Sequence, residues 1–524
     1  MSNIQLLDCT LRDGGYVNDF HFGQYAIGKI ISQLTESGIE VVECGFLEEG
    51  EYNADQSVFQ TVEQIACFLP QNRKHSLYVA MACYGEYDIR QLSDYDGSSI
   101  DGIRVSFHLH EIAEAMHFCH QIKDKGYKIF IQPVGTTSYS KEQLLFLIQQ
   151  VNELQPYAFY FVDTLGLMHQ EEVLRFYNFI HQHLSPDIRL GFHSHNNLQL
   201  SFSNCQTLIN QVSDRTLLLD ASVYGMGRAA GNLNTELITN YLNNYTAKRY
   251  EIEPILEIVD EFILQIRENH TWGYSVPYYL AAINGCHPNY ASFLSGKQTL
   301  TVRNISTILR MIESEKRSLY NKELAEQKYV EFQSREINDA QTIASLQESM
   351  ANKEVLLIAP GASINSNKER LEELAARCVT ISIAFVPSFL QSDYVFFSNL
   401  KRYNAMDKAK LNHIKLIHTS NIQIEELEKN VVNYSSLLNE SDVIMDNAAL
   451  MVLNLLIKIN PSKVYIAGMD GYVYGDINYA EDSKKQEQDR ERFDLLNREI
   501  SIRLSELSQR LDIQFVTPTL YSVS

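Results

Sequence analysis

LDCTLRDGG at residues 7–15 and GFHSHNN at residues 191–197 are the two stretches that decide the fold. Each comes at the end of an apolar, strand-like run, residues 4–8 in the first case and 189–193 in the second. Because the carboxyl ends of parallel strands meet at one edge of a sheet, we expect these polar side chains to lie together. Together they supply one carboxylate, two imidazoles and a neighbouring guanidinium.

The first 240 or so residues alternate between strand-like and helix-like segments, the pattern of successive βα units. The predicted strands are 4–8, 41–46, 77–82, 102–107, 128–133, 159–163, 189–193 and 217–222, and predicted helices include 24–36, 112–125, 141–153 and 170–183. Eight such units predict an N-terminal TIM (β/α)8 barrel. An open, doubly wound sheet is the alternative.

Polar and glycine residues follow most of these strands, which is where barrel enzymes carry their active sites. We expect active-site roles for Arg12 and His108, and substrate contacts from Glu43, Arg104, Asp163, Gly225, Gly227 and Arg228. The structural alternatives are that Glu43 supports an arginine, that Arg104 pairs with a neighbouring acid and that Asp163 ties a loop. His108 and His110 could likewise serve only as loop or substrate contacts.

His193 and His195 are spaced i, i+2 at a strand end, so both imidazoles point to one face and can reach one ion. Neutral imidazole binds borderline divalent metals, and the Asp13 carboxylate adds a hard oxygen ligand. Such an ion could chelate the keto and carboxylate oxygens of a 2-oxo acid and stabilise an enolate as a Lewis acid.

Three motifs resemble the metal-dependent aldolase and lyase superfamily, which includes 4-hydroxy-2-oxovalerate aldolase, hydroxymethylglutaryl-CoA lyase and isopropylmalate synthase. They are Asp8-x-Thr10-Leu11-Arg12-Asp13-Gly14, His193-x-His195-Asn196 and Gly225-Met226-Gly227-Arg228-x-x-Gly231-Asn232. The resemblance covers about residues 1–290. It implies a (β/α)8 barrel whose cofactor is Mn²⁺ or Mg²⁺, with Asp13, His193 and His195 as ligands and Asn232 as a further one. Arg12 would then stabilise the enolate oxygen.

Two departures from the family pattern bear on the activity. Val223 stands where the hydroxymethylglutaryl-CoA lyases carry a catalytic cysteine, so that activity is not expected. Tyr16 stands where the hydroxyoxovalerate aldolases carry a histidine that moves a proton, and a phenol is a poorer base at neutral pH. His21, His108 and a metal-bound water remain open as other proton carriers.

The second half of the chain is predicted to have a different fold from the first. Residues 291–352 are expected to be a helical extension and linker, rich in charged and polar residues towards residue 352, and 353–524 a C-terminal open Rossmann-like α/β domain. Its predicted strands are 354–358, 379–384, 394–397, 414–418, 464–467 and 514–516. Gly361, Ser363 and Asp470 are the candidate anion site of this domain. The region weakly resembles nucleotide-sugar-dependent transferase domains; an oligomerisation or docking domain is the alternative.

Composition limits the partners. A net charge of −21 over 524 residues argues against sequence-independent binding of nucleic acid or of an anionic membrane. No apolar stretch reaches 18 residues, and the eight cysteines show no C-x-x-C spacing, which favours a cytoplasmic protein with reduced thiols. We expect a homo-oligomer that acts on small molecules.

These observations predict a divalent-metal-dependent aldolase that interconverts a 4-hydroxy-2-oxo acid with pyruvate and an aldehyde, a keto acid and an aldehyde being its partners. One alternative is a condensing enzyme that joins an acyl-CoA to a keto acid. The other is a non-catalytic barrel that serves as a scaffold for a C-terminal nucleotide-sugar-binding domain.

Overall fold

The computed structural model of the chain describes residues 3–211, 214–422, 430–441, 443–480 and 490–521. Two compact units emerge from the contacts within the chain. Unit 1 consists of Met1–Ser292 and Ile312–Asn321, and unit 2 of Phe293–Met311 and Lys322–Ser524. The domain limits expected from the sequence stay a prediction.

Unit 1 contains a closed barrel of parallel strands. Its strands are β1 (Ile4–Asp8), β2 (Val41–Leu47), β3 (Val58–Phe59), β4 (Leu77–Cys83), β5 (Gly102–Phe107), β6 (Lys128–Pro133), β7 (Ala158–Asp163), β8 (Arg189–Ser194) and β9 (Leu217–Ala221). They pair in the order β1-β9-β8-β7-β6-β5-β4-β2-β3. The pairing of β1 with β2 closes the ring, and the short strand β3 adds to β2 outside it. The predicted TIM barrel is confirmed, because every predicted strand is present within one residue at each end.

Helices cover the outside of this barrel and continue beyond it. They are α1 (Gln24–Glu36), α2 (Val62–Ala66), α3 (Ile112–Asp124), α4 (Lys141–Leu154), α5 (Gln170–His183), α6 (Ser201–Ile209), α7 (Thr235–Tyr245), α8 (Glu253–Ile258), α9 (Leu264–Asn269), α10 (Val276–Ile283) and α11 (Pro288–Gly296), with a π-helical turn over Val259–Ile263. The strands are buried on both faces, which is why they read as nearly continuous apolar runs.

The inside of the barrel is filled by large side chains. Phe130, Tyr160 and Leu218 belong to an apolar cluster that is distinct from the layer between strands and helices. A Cβ at Gly191 would lie 2.3 Å from the Tyr160 ring, so a glycine is needed on β8 to admit that ring. This packing closes the barrel below the polar residues at the strand ends.

Unit 2 contains a second parallel sheet. Its strands are β10 (Glu354–Ile358), β11 (Val379–Ile383), β12 (Tyr394–Phe397), β13 (Lys415–Thr419), β14 (Val431–Val432), β15 (Lys463–Ala467) and β16 (Ile513–Phe515), in the order β14-β13-β12-β11-β10-β15-β16. Its helices are α12 (Val302–Met311), α13 (Lys322–Gln333), α14 (Ala340–Met350), α15 (Lys368–Ala375), α16 (Leu400–Ala405), α17 (Ala448–Ile459) and α18 (Arg490–Ser508). The open parallel α/β sheet is confirmed, and its strand order reverses direction between β10 and β15.

Residues 291–352, which are expected from the sequence to be a helical extension and linker, are helical and also contribute buried side chains. Leu346 and Met350 of α14 are buried in the core of unit 2, and Tyr329 of α13 is fully buried. The two α14 side chains are spaced i, i+4, which places them on one face of the helix. The polar composition of the segment masked this narrow apolar stripe.

None of the helices in the described part of the chain combines the length and the apolarity that a membrane span requires.

Candidate metal centre and active site

Asp13, His193 and His195 form one buried cluster at the carboxyl ends of β1 and β8, here named the metal cluster because its side chains could hold a metal ion. A ligand atom of each residue lies within 4.8 Å of the corresponding atoms of the other two. Asp13 sits in the turn after β1, where its N–H donates to the Cys9 carbonyl at 2.8 Å. The i, i+2 spacing of the two histidines across the end of β8 brings both imidazoles to the same side, as the sequence predicted.

The protonation states of this cluster suit a cation. Burial lowers the pKa of His195 to about 3, so its imidazole is neutral at physiological pH. Burial opposes ionisation of Asp13, but the guanidinium of Arg12 beside it outweighs burial and holds the pKa of the carboxyl well below its usual range. A carboxylate and a neutral imidazole are the forms in which these side chains bind metal ions.

Asn232 supplies a direct test of whether the site fits a metal. Its Nδ2 donates to Asp13 Oδ2 at 2.6 Å and to the Met226 carbonyl at 3.1 Å, and its backbone bridges to that of His195. Its Oδ1 is buried without a hydrogen-bond partner, an arrangement that costs about 1–3 kcal/mol unless a ligand satisfies the oxygen. The residues present therefore fit a divalent cation, with Asn232 as a further oxygen donor.

Arg12 links the Asp13 carboxylate to a buried acid. Its Nη1 donates to Asp13 Oδ1 at 2.7 Å and its Nε to Glu43 Oε2 at 2.9 Å. Its Nη2 makes no hydrogen bond to the described residues, so the N–H groups of that nitrogen remain available to a ligand.

The same buried acid continues a line of charges to the other side of the barrel. Arg104 Nη1 donates to Glu43 Oε2 at 2.7 Å, and Arg104 Nη2 donates to Asp220. Asp220 Oδ2 in turn lies 2.9 Å from His193 Nδ1. The result is one line of buried polar groups between two metal-ligand candidates, here named the charge chain: Asp13, Arg12, Glu43, Arg104, Asp220 and His193.

The charge chain has two consequences. A carboxylate at Nδ1 orients the His193 ring and leaves its Nε2 for an ion, the usual support of a metal-binding histidine. Within the charge chain, three carboxylates outnumber two guanidinium groups. These six residues together therefore carry a net charge of −1, which favours a bound cation.

Glu43 and Arg104 are expected from the sequence to touch substrate, but both side chains are fully buried beneath the site. Their contacts support the structural alternatives, namely that Glu43 holds an arginine and Arg104 pairs with acids. Asp220 was not among the site residues predicted from the sequence. Its position in the apolar run of β9 could have indicated it, because a carboxylate buried there needs a polar partner.

Asp163, also expected to contact substrate, is buried at the end of β7 and binds backbone groups of the following loop. Its carboxylate accepts hydrogen bonds from the N–H groups of Leu167 and Met168 at 2.9 and 3.0 Å, which ties the loop after β7. Burial raises its pKa to about 6. The geometry supports the loop-tying alternative.

The candidate proton carriers occupy different places. His108 is exposed, and its ring stacks on His110 at 5.9 Å; none of its contacts among the described residues reaches the metal cluster. His21 is exposed and lies beside Gln56.

Tyr16 packs edge-on against Phe20 and Phe46, and the guanidinium of Arg228 lies 4.3 Å from the centre of its ring. Burial raises the pKa of Tyr16, so the phenol stays protonated at neutral pH and is suited to donate a proton.

The glycine loop after β9 contacts the metal cluster directly. A Cβ at Gly227 would lie 2.4 Å from Asn232 Nδ2 and 2.9 Å from Asp13 Oδ2. Gly225 adopts φ +61° and its carbonyl accepts the Asn232 N–H. The glycines therefore allow the loop to approach the ligands closely.

In unit 2, the candidate anion site has its donors already engaged. The N–H and hydroxyl of Ser363 donate to Asp470 at 2.8 and 2.5 Å, and Gly361 packs against the same carboxyl group. An anion at Ser363 would have to displace that carboxylate, which the geometry does not favour. A cavity of about 230 Å³ lies beside these residues, where β10 and β15 end.

Residues 3–260 match a family model described as HMGL-like. This region belongs to the HMGL-like family. The chain is 24% identical to oxaloacetate decarboxylase of Mycobacterium tuberculosis over 44% of its own length and 68% of the relative's. It is 27% identical to 4-hydroxy-2-oxovalerate aldolase of Thermomicrobium roseum (46% and 66%) and 26% identical to homocitrate synthase of Pyrococcus horikoshii (48% and 69%).

Members of the HMGL-like family are enzymes that include aldolases, lyases and synthases. At the level of the family, residues 3–260 form an enzyme of the carbon–carbon lyase type. Each match spans about two thirds of the relative and less than half of this chain.

Proposed function

We propose that unit 1 is a divalent-metal-dependent aldolase that interconverts a 4-hydroxy-2-oxo acid with pyruvate and an aldehyde. The observation that carries the proposal is the buried cluster of Asp13, His193 and His195, which has an unsatisfied Asn232 oxygen beside it. We propose Asp13, His193, His195 and Asn232 as the residues that would hold Mn²⁺ or Mg²⁺. When bound, such an ion would polarise the keto group and lower the energy of the enolate.

The chain's own residues would do the remaining work. Arg12, held in place by Asp13 and Glu43, would use its Nη2 to donate to the enolate oxygen. In the condensation direction, the proton that leaves pyruvate C3 would pass to solvent, from which the half-exposed phenol of Tyr16 would regain a proton after each turnover. C3 would form a bond to the aldehyde carbon as the C=O π bond breaks, and the aldehyde oxygen then needs a proton. Tyr16 would donate that proton, since its phenol is protonated and lies at the mouth of the barrel.

The test is pyruvate release from a set of 4-hydroxy-2-oxo acids, coupled to NADH oxidation, before and after metal removal by a chelator. We expect release to stop on chelation and to return with Mn²⁺ or Mg²⁺, and Asp13→Ala and His193→Ala to abolish both activity and Mn²⁺ binding. Pyruvate formation that ignores the chelator would contradict the proposal. Release of free thiol from acetyl-CoA in the presence of a keto acid would instead identify an acyl-CoA condensing enzyme.

We also propose that unit 2 binds a polar small molecule at the point where its strand order reverses. The cavity there is lined by residues that follow β10, β12 and β15, among them Gly361, Asn399 and Asp470. Open parallel sheets bind ligands in the crevice at this position. The weak sequence resemblance makes nucleotides the first ligands to test.

Titration calorimetry of the full chain with nucleoside mono- and diphosphates is the measurement. We expect saturable binding that Asp470→Asn weakens and that Asp512→Asn, an exposed acid of the same unit, leaves unchanged. Equal binding by both variants would place any nucleotide outside this cavity.

A further inference from the structure

The loop that carries Arg228 is rigidly held beside the metal cluster. Asn196 N–H donates to the Gly231 carbonyl at 2.8 Å, and Ala230 N–H donates to Asn197 Oδ1 at 3.1 Å. Tyr224 and Ala229 both adopt φ +57°, a left-handed conformation that is unfavourable for residues with a Cβ. Backbone strain of this kind persists where the surrounding structure imposes it, often at binding sites.

Arg228 starts from this loop next to the proposed ligands and ends at the mouth of the barrel. Its neighbour Gly227 lies against Asp13, as described above, so the Arg228 backbone begins beside the metal cluster. The guanidinium stacks on the Tyr16 ring, and the residue as a whole is exposed. Among the described residues, no carboxylate lies within ion-pair distance of it.

The charge of Arg228 therefore acts on its surroundings without a counterion. Burial, together with this guanidinium, lowers the pKa of His287 to about 4, so that imidazole is neutral and does not compete for an anion. An arginine that is stacked on an aromatic ring and lacks an acid partner is well suited to bind a carboxylate or phosphate in two-point geometry.

The two arginines of the site would serve different halves of a substrate. Arg12 is buried, and two of its nitrogens are occupied by Asp13 and Glu43, so it can meet only a group placed at the metal. Arg228 is exposed, in contrast to Arg12, and its guanidinium stacks on the Tyr16 ring. In the proposed aldolase reaction the keto acid would occupy the metal, which leaves the aldehyde for the outer position.

We propose that Arg228 binds an anionic group on the aldehyde, so that the second substrate is an aldehyde bearing a carboxylate or a phosphate. This inference rests on the proposed aldolase function. Arg228 would then be a specificity-determining residue of the barrel.

The experiment compares matched pairs of aldehydes in the condensation with pyruvate and Mn²⁺. Succinic semialdehyde is compared with butanal, and glycolaldehyde phosphate with glycolaldehyde, which separates carboxylate from phosphate. For the preferred anion we expect kcat/KM to exceed that of its neutral partner. Arg228→Met should reduce the ratio of the two kcat/KM values, anionic over neutral, roughly 10- to 100-fold, the range of a charged hydrogen bond. Arg228→Lys should retain part of the preference.

Arg175→Met is the matched control, because Arg175 also stacks on an aromatic ring, that of Phe176, but lies on the outer helix α5. It should leave the ratio unchanged. An unaltered ratio in Arg228→Met, or a wild-type enzyme that accepts neutral and anionic aldehydes equally, would overturn the inference while leaving the aldolase function intact.

If no aldehyde reacts at all, the aldolase proposal fails separately. Calorimetric titration of succinic semialdehyde and glycolaldehyde phosphate then decides the binding claim: weaker binding by Arg228→Met supports it, and equal binding overturns it.

Discussion

Replacing Asp220 by asparagine is the most informative perturbation of the charge chain, because Asp220 contacts a proposed metal ligand without being one. Its Oδ2 accepts hydrogen bonds from His193 Nδ1 and from Arg104. Asparagine keeps the size of the side chain but removes the negative charge, and its amide can present an N–H group to Nδ1. The His193 ring would then lose the partner that directs its Nε2 to the ion.

The magnitude follows from two losses. The net charge of the six residues of the charge chain changes from −1 to 0. Loss of the carboxylate that supports a metal-binding histidine lowers metal affinity roughly 10- to 100-fold, or about 1.4–2.7 kcal/mol. Arg104 also keeps only Glu43 as a partner in a fully buried position. Removing one partner of a buried ion pair costs about 3–5 kcal/mol of folding free energy.

Two measurements separate these effects. Calorimetric titration with Mn²⁺ gives the dissociation constant of each variant, and urea denaturation of the metal-free protein gives the free energy of unfolding. Asp163→Asn is the matched control, since that carboxyl is equally buried in the barrel but ties a loop. Mn²⁺ affinity of Asp220→Asn within twofold of wild type, in a folded protein, would refute the positioning role.

Three further outcomes follow from the geometry. Gly227→Ala should abolish Mn²⁺ binding, because its Cβ would lie 2.4 Å from Asn232 Nδ2, whereas Gly28→Ala in α1, with no contact closer than 3.8 Å, should leave the Mn²⁺ dissociation constant unchanged. Tyr16→Phe should lower kcat about 10²- to 10⁴-fold with a smaller change in KM, if its hydroxyl moves the proton; an unchanged kcat would exclude it. The folded-state pKa of Asp163 is about 6 against an ordinary value of 3.8, so the folded protein binds the extra proton and loses stability as pH rises from about 4 to above 6. Relative to Asp163→Asn, the unfolding free energy of wild type in urea should fall by about 3 kcal/mol over that interval, and a flat difference would contradict the raised pKa.

The barrel and its metal cluster were readable from local sequence. Strands buried on both faces are nearly continuous apolar runs, and the helices between them have apolar residues every three or four positions. Each βα unit can therefore be recognised from about 30 residues of local sequence. The i, i+2 spacing of His193 and His195 determined a shared direction for two ligands before any fold was known. Parallel strand ends brought Asp13 to them.

The sequence did not predict which buried charged residues pair with one another. Glu43, Arg104 and Asp220 were each visible as polar residues in or near strands, but which residues they would neutralise depends on closure of the barrel. Glu43 lies 31 residues from Arg12 and 61 from Arg104, and Asp220 lies 116 residues from Arg104 along the chain. The contacts that Glu43 and Arg104 make with Arg12 and Asp220 therefore became visible only in the folded structure.

The sequence by itself determined the class of fold and the three residues that can share a cation, because periodicity and strand-end placement are local properties of the chain. Only the tertiary structure decided the supporting charge chain, the burial of one face of α14 and the stacking of Arg228 on Tyr16. Each of these depends on which residues, distant in the sequence, come together and exclude water in the folded protein. A buried charge without a partner is costly, so its pairing is determined by the residues that folding places beside it.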